Sequence, residues 1–223
     1  MAVFRSILSG GSFYDRLIAG LGALVAIAVT AAVCAFVPTD MHDLPFIVAP
    51  LGASAVLVFA VPASPLAQPW PVIGGNVIST LVGVQIYHLI PNIYVAAGTA
   101  VGAAIILMSL LRCLHPPGGA AALTAVIGSQ GVHEAGYAFA FMPVAINSML
   151  LVALAILFHK MTEHSYPHRA AILPKTPVEP YFNMSDIDAA IEDMHDSFDI
   201  SREDIEALMR FAERHAVERR GVR

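Results

Sequence analysis

LIAGLGALVAIAVTAAVCAFV (residues 17–37) is 21 residues long and carries no charge. A helix crossing the hydrocarbon core of a bilayer needs about 20 such residues, so this stretch predicts a membrane span. The rest of the chain reads the same way for most of its length. Of 223 residues, 57% are hydrophobic and only 13% charged, with a mean hydropathy of +0.70. A soluble domain carries about 25% charge and could not cover its surface with this composition. Disordered chains, nucleic-acid binders and disulfide scaffolds are excluded on the same ground. Residues 1–160 hold four basic and four acidic groups, whereas residues 161–223 hold eight basic and thirteen acidic. An almost uncharged apolar block is thus followed by a short charged tail, the pattern of an integral membrane protein. Cys34 and Cys113 form no CxxC pair and read as buried or lipid-facing thiols. The first sixteen residues lack the form of a removable signal peptide, so the first apolar stretch is expected to remain as a span.

Further segments follow in order. Asp40, His42 and Asp43 interrupt the first run. Residues 44–61 are apolar but contain Pro45 and Pro50, which should break the helix. Pro62 to Pro71 is expected to be a non-helical connection, with Trp70 at headgroup level. Residues 72–90 and 93–111 are full spans, separated by the Pro91-Asn92 turn and closed by Arg112. LHPPGGAAAL (114–123) opens a segment that ends at Gly128–Gly131, too short for an ordinary spanning helix. Residues 137–158 form the last span. These readings divide the chain into a membrane domain (1–162), a Pro-containing linker (163–184, with Pro167, Pro174, Pro177 and Pro180) and an amphipathic helical tail (185–223). Helices in the tail should begin at Ser185 and Ser201, each with an acid three residues on (Asp188 and Asp204). Ile205, Leu208, Met209 and Ala212 form its apolar stripe.

The apolar block reads as two halves, each a plain span, a Pro/Gly-interrupted segment (about 44–61 and 115–130) and another span. At an offset of 67 residues, Pro50-Leu-Gly-Ala-Ser-Ala-Val faces Pro117-Gly-Gly-Ala-Ala-Ala-Leu. Three crossings per half make the second half an inverted copy of the first; four full spans plus two re-entrant segments is the alternative architecture. Paired interrupted segments point to a binding site near the midplane of a transporter. A helix that begins within the membrane has unpaired backbone N–H groups and roughly half a positive charge at its start. The same small residues also suit close helix packing, and both readings stay open.

LHPPGGAAAL (114–123) resembles the signature of the HPP family, named for the tripeptide that here is His115-Pro116-Pro117. GASAVLVFAVPASPLAQPWPVIGG (52–75) is similar to that family's other characteristic stretch. The likeness covers about residues 17–160. Residues 199–208 (DISREDIEAL) resemble a connector that precedes paired CBS domains in some relatives; with the sequence ending before such a domain, nucleotide sensing in cis is not implied. The family is usually described with four spans. What the resemblance implies for function is transport, since plastid and cyanobacterial relatives are associated with nitrite movement.

The candidate substrate-binding residues are Gly52, Ala53, Ser54, Asn76, His115, Gly118, Gly119, Ala120 and Asn147. His115 stands out among the histidines because it lies between Arg112 and the proline break. It could hold an anion when protonated, carry a proton, or only tie down a freed carbonyl. Gly119→Val is expected to crowd the backbone there. Ser79, Thr80, Gln85 and Ser148 read as ordinary interhelical hydrogen-bonding groups. Gly75/Ser79/Gly83 and Gly98/Gly102 read as close-packing ridges. No HExxH, GxSxG or intramembrane carboxylate pair is present, so neither catalysis nor a metal or cofactor is expected. The expected function is therefore movement of a small inorganic anion, nitrite first, bound at helix N-termini beside the breaks. The alternative is a non-transporting anchor or sensor that works through its tail. Expected partners are the anion and the bilayer, with no nucleic acid; a homo-oligomer is compatible with the sequence. The expected location is a bacterial inner membrane with both termini cytoplasmic, which puts Arg5, Arg16, Arg112, Lys160 and Arg169 inside.

Overall fold

The computed structural model describes residues 13–36, 44–162, 164–171 and 182–220. Arg5, Asp40, His42, Asp43 and the linker residues Pro174, Pro177 and Pro180 lie outside the described residues. The described residues are all-helical. Four helices are long and apolar enough to cross a membrane: α1 (Phe13–Ala35), α3 (Pro69–Leu89), α4 (Ile93–Leu110) and a bent span, Ala140–His159, whose regular part is α7 (Ile146–His159). Between them lie short helices, α2 (Pro50–Ala60), α5 (Pro116–Ile127) and α6 (Gln130–Ala135). The tail forms α8 (Met184–Met194) and α9 (Arg202–Arg220).

Proline sets where the membrane helices start. Pro50, Pro69 and Pro116 each occupy the first helical turn, where the missing N–H costs nothing and φ is already helical. The Pro62–Pro71 stretch is thus only partly a connection: it holds a 3-10 turn at Pro65–Ala67, and α3 already begins at Pro69. With 11 and 12 residues, α2 and α5 are about 17 and 18 Å long at 1.5 Å per residue, against about 30 Å of hydrocarbon. Asn92 caps α4 by accepting from the Tyr94 and Val95 amides. Pro143 bends the last span, with Met142 in extended backbone. In the tail, the first cap is Asn183 rather than Ser185. Its side chain and that of Asp186 form a reciprocal capping box, while Asp188 pairs with Arg202. Ser201 caps α9 as the spacing predicts, accepting from the Asp204 amide at 3.1 Å.

Two buried clusters hold the membrane part together. Leu51, Val58, Phe59, Leu151 and Ala155 belong to one, in which α2 meets α7 and α1. Ala96, Ala100, Ala104, Met108, Ala122 and Val126 belong to the other, joining α4 and α5 beside α3. The α3–α5 seam is the closest. A Cβ on Gly83 would stand 2.3 Å from the Ala122 oxygen, and one on Gly75 would stand 2.6 Å from the His115 Cβ. This ridge packs as the spacing predicts. Gly98 and Gly102 do not, for nothing among the described residues lies within 4 Å of a Cβ at either position.

Side-chain-to-carbonyl bonds bring several helix ends to one face. Arg16, near the start of α1, donates to the Ala60 oxygen at the end of α2. His159, at the end of α7, bonds the Val58 oxygen of α2. Trp70, at the start of α3, donates to the Leu111 oxygen just beyond α4.

Candidate functional site

Five of the nine candidate residues face the interior. Ser54, Asn76, His115, Gly118 and Asn147 are buried, Gly119 is half-buried, and Gly52, Ala53 and Ala120 are exposed. The reason is rotational phase. Helix α2 buries Leu51, Ser54, Ala55 and Val58, at the spacing of one helix face, which turns Gly52 and Ala53 outward. In α5 the buried set is Pro117, Gly118, Ala121, Ala122, Ala125 and Val126, which leaves Ala120 on the far side. Gly119 has room, since a Cβ there would come no nearer than 3.8 Å to its closest neighbour, Val101 Cγ1. The crowding expected at Gly119 belongs instead to Gly118, where a Cβ would stand 2.7 Å from Ser79 Oγ and 2.8 Å from Met108 Sδ.

The short helices do not start with open amides. Pro116 and Pro117 have no N–H, and the Gly118 N–H donates to the His115 oxygen at 2.8 Å. At α2, Pro50 has none, and the Leu51 and Gly52 amides donate to the Val48 and Ala49 oxygens. The expectation of unpaired N–H groups at these starts is corrected accordingly: proline and a preceding tight turn use up the first donors. The helix dipoles remain, and the Ser54–His115 contact joins the start of α5 to the second turn of α2.

Side chains carry the polar chemistry here. His115 precedes α5 in extended backbone and is completely buried. Its Nδ1 lies 2.8 Å from the Leu66 oxygen and its Nε2 2.8 Å from Ser54 Oγ. A carbonyl oxygen only accepts, so Nδ1 bears a hydrogen. In the neutral ring Nε2 then accepts the Ser54 hydroxyl proton. Ser54 Oγ in turn accepts from Asn76 Nδ2 at 3.3 Å, and the same amide nitrogen donates to Ser148 Oγ at 3.2 Å. The result is one buried chain that links the 3-10 turn, the α5 start, α2, α3 and α7. Two atoms beside it have no partner among the described residues: Asn76 Oδ1 and Ser79 Oγ. Asn147 stands apart. It accepts from the Val48 amide and donates to the Phe46 oxygen and Cys34 Sγ, so it pins the extended stretch before α2 to α1 and α7.

Sequence reading put Ser79 and Ser148 among ordinary helix contacts and had no means of finding the Leu66 carbonyl. The only available signal was that Ser148 follows Asn147 and Ser79 lies one turn from Asn76. Among the described residues no cluster of His, Cys, Asp or Glu could hold a metal ion.

The 3-10 turn that receives His115 is also where the tail docks. Ser64 donates to Asp199 at 2.6 Å, the His168 amide donates to Gln68, and the His168 ring pairs with Asp204 at 2.8 Å. Tyr166 donates to the Ala67 oxygen at 2.9 Å, and burial pushes its phenol pKa up, so it remains a donor.

Comparison with known proteins agrees with the membrane architecture. Residues 9–167 match the family model described as HPP, transmembrane region. Two transmembrane proteins of Dictyostelium discoideum are similar. One is 38% identical over 120 residues, which is 52% of this chain and 42% of the relative. The other is 35% identical over 127 residues, 55% of this chain and 40% of the relative. The aligned region thus spans less than half the length of either relative. No solved structure matches the chain.

Proposed function

The chain belongs to the HPP transmembrane family, and from that premise we propose that it moves a small inorganic anion, nitrite first, across a bacterial inner membrane. One observation carries this reading: a fully buried chain of His115, Ser54, Asn76 and Ser148 lies where two short, proline-started helices meet the long spans. Polar groups at membrane depth are costly and are kept mainly where they serve packing or passage. Asn76 Oδ1 and the adjacent Ser79 Oγ are unpartnered among the described residues, which favours passage. The positive end of α5, which begins directly after His115, favours an anion over a cation.

The helix ends support six crossings, in two inverted halves. The starts of α1 and α3 lie at one face, joined through Arg16, Ala60 and the turn at 61–68. The chain between α1 and α3 must then cross back, with α2 as the helical part of that crossing. The ends of α4 and α7 lie at the same face, so the chain between them crosses through α5 as well. Arg16, Arg112, Lys160 and Arg169 then share one side, which the positive-inside bias makes cytoplasmic. A cysteine at Asn92, in a background without Cys34 and Cys113, is expected to react with an impermeant thiol reagent from outside. Reaction only from the cytoplasm would restore four spans with two re-entrant segments.

A second reading rests on the docked tail: a membrane anchor or sensor that signals through α8 and α9. Uptake of nitrite, nitrate, formate and chloride into liposomes containing this chain alone separates the two. Transport predicts that nitrite at least enters faster than into empty liposomes. The anchor reading predicts that none of the four does.

A further inference from the structure

We propose that Tyr166 and His168 of the linker and Asp199 and Asp204 of the tail form a latch that fixes the ring proton of His115 on Nδ1. They are positioning residues, acting on the buried chain through the turn at residues 61–68. That the fixed tautomer serves passage rests on the transport reading; the latch itself does not.

The turn is bonded on two sides. Inward, the Leu66 oxygen receives His115 Nδ1 at 2.8 Å. Outward, the residues around Leu66 are held by the linker and tail. Ser64 Oγ accepts from the Leu66 amide at 3.1 Å and donates to Asp199 at 2.6 Å. The next carbonyl, that of Ala67, accepts from the Tyr166 hydroxyl at 2.9 Å, and Gln68 accepts from the His168 amide at 2.8 Å. The His168 ring then pairs with Asp204 of α9, which ties the linker contacts to the tail contacts. Ser64, Ala67 and Tyr166 are all buried. The turn has little of its own to hold it, being a single 3-10 turn over Pro65–Ala67 with 3.0 and 3.5 Å bonds closing it.

The state of His115 depends on the carbonyl that this turn presents. A carbonyl only accepts, so with Leu66 in place the neutral ring must donate from Nδ1, and Nε2 must accept from Ser54. Without Leu66 the ring has a second choice. The proton can sit on Nε2 and donate to Ser54 Oγ, whose own proton then goes to the Pro50 oxygen, 3.2 Å away. In a free imidazole side chain that second tautomer is the preferred one. The partner of one ring nitrogen decides the state of the other. The latch therefore sets the direction of the hydrogen bonds that continue through Ser54 to Asn76 and Ser148.

Nuclear magnetic resonance of the full chain in nanodiscs, with isotopically labelled histidine ring nitrogens, tests this; His115→Gln identifies the His115 signals. The wild type is expected to show one His115 species, protonated at Nδ1 and unprotonated at Nε2. In the double variant Tyr166→Phe with Asp199→Ala, a species with the proton on Nε2 is expected beside it in comparable amount. Tyr166→Phe alone is expected to show the same species in smaller amount. Nitrite uptake is expected to fall at least threefold in the double variant, at equal amounts of folded protein. Asp188→Asn breaks an exposed pair with Arg202 inside the tail and is expected to change neither reading. A single wild-type tautomer in the double variant would overturn the latch, whatever uptake does. Mixed tautomers with wild-type uptake would overturn its part in passage. No uptake by the wild type would remove the transport reading, and the His115 signals would still decide the latch.

Discussion

Gly83→Val is expected to cost the folded chain about 3 kcal/mol or more, and Gly102→Val less than about 0.5 kcal/mol. Both are glycines in membrane helices at small-residue spacing, yet their surroundings differ completely. A Cβ at Gly83 would stand 2.3 Å from the Ala122 oxygen and 2.8 Å from the Ala125 Cβ. These are backbone and stub atoms that cannot rotate away, so α3 and α5 would have to separate. At Gly102 nothing among the described residues lies within 4 Å. Thermal unfolding of the two purified variants in one detergent checks this. Equal losses, or no loss at Gly83, would mean that the α3–α5 seam is not the close contact described.

Asn147→Leu is expected to be nearly as damaging, by about 3 kcal/mol, for a different reason. Leucine fills similar space but leaves the Val48 N–H and the Phe46 carbonyl without the partner Asn147 supplies. The Val48 N–H is buried, and such a group left unsatisfied costs about 1–3 kcal/mol. The same unfolding assay reads this out, and wild-type stability in Asn147→Leu would remove its role as a pin. The contrast with Asn76 is chemical. Asn147 uses both its oxygen and its nitrogen on fixed neighbours, whereas the Asn76 oxygen has no partner among the described residues. Of the two asparagines that sequence reading grouped together, one has all its polar atoms engaged in holding the fold and the other keeps an amide oxygen without a partner among the described residues.

The fold was largely legible in the sequence because length and charge decide what can cross a bilayer. Residues 17–37, 72–90, 93–111 and 137–158 correspond to helices that start or end within a few residues of those bounds. Pro50 and the Pro116-Pro117 pair marked the two short helices. The rotational phase of those helices was not legible. In water, a polar face shows which way a helix turns; in a membrane both faces are apolar, so Gly52, Ala53 and Ala120 looked equivalent to Ser54 and Gly118. His115 was legible as a residue, because its place beside the break is local information. Its partners were not, since Ser54 and Leu66 lie 61 and 49 residues away in sequence. The open backbone amides expected at the helix starts failed for a local reason that was in view: prolines have no N–H to offer, and the residue after them folds back on the turn.

If an anion passes the buried chain centred on His115, as proposed, nitrite uptake into protein-only liposomes must distinguish wild type from His115→Ala at equal amounts of folded protein. Uptake by the wild type is expected above that of empty liposomes, with at least a tenfold loss in His115→Ala, because the variant removes the ionisable group on the hydrogen-bonded chain that joins α2, α3 and α7. Wild-type uptake rates in His115→Ala would contradict it.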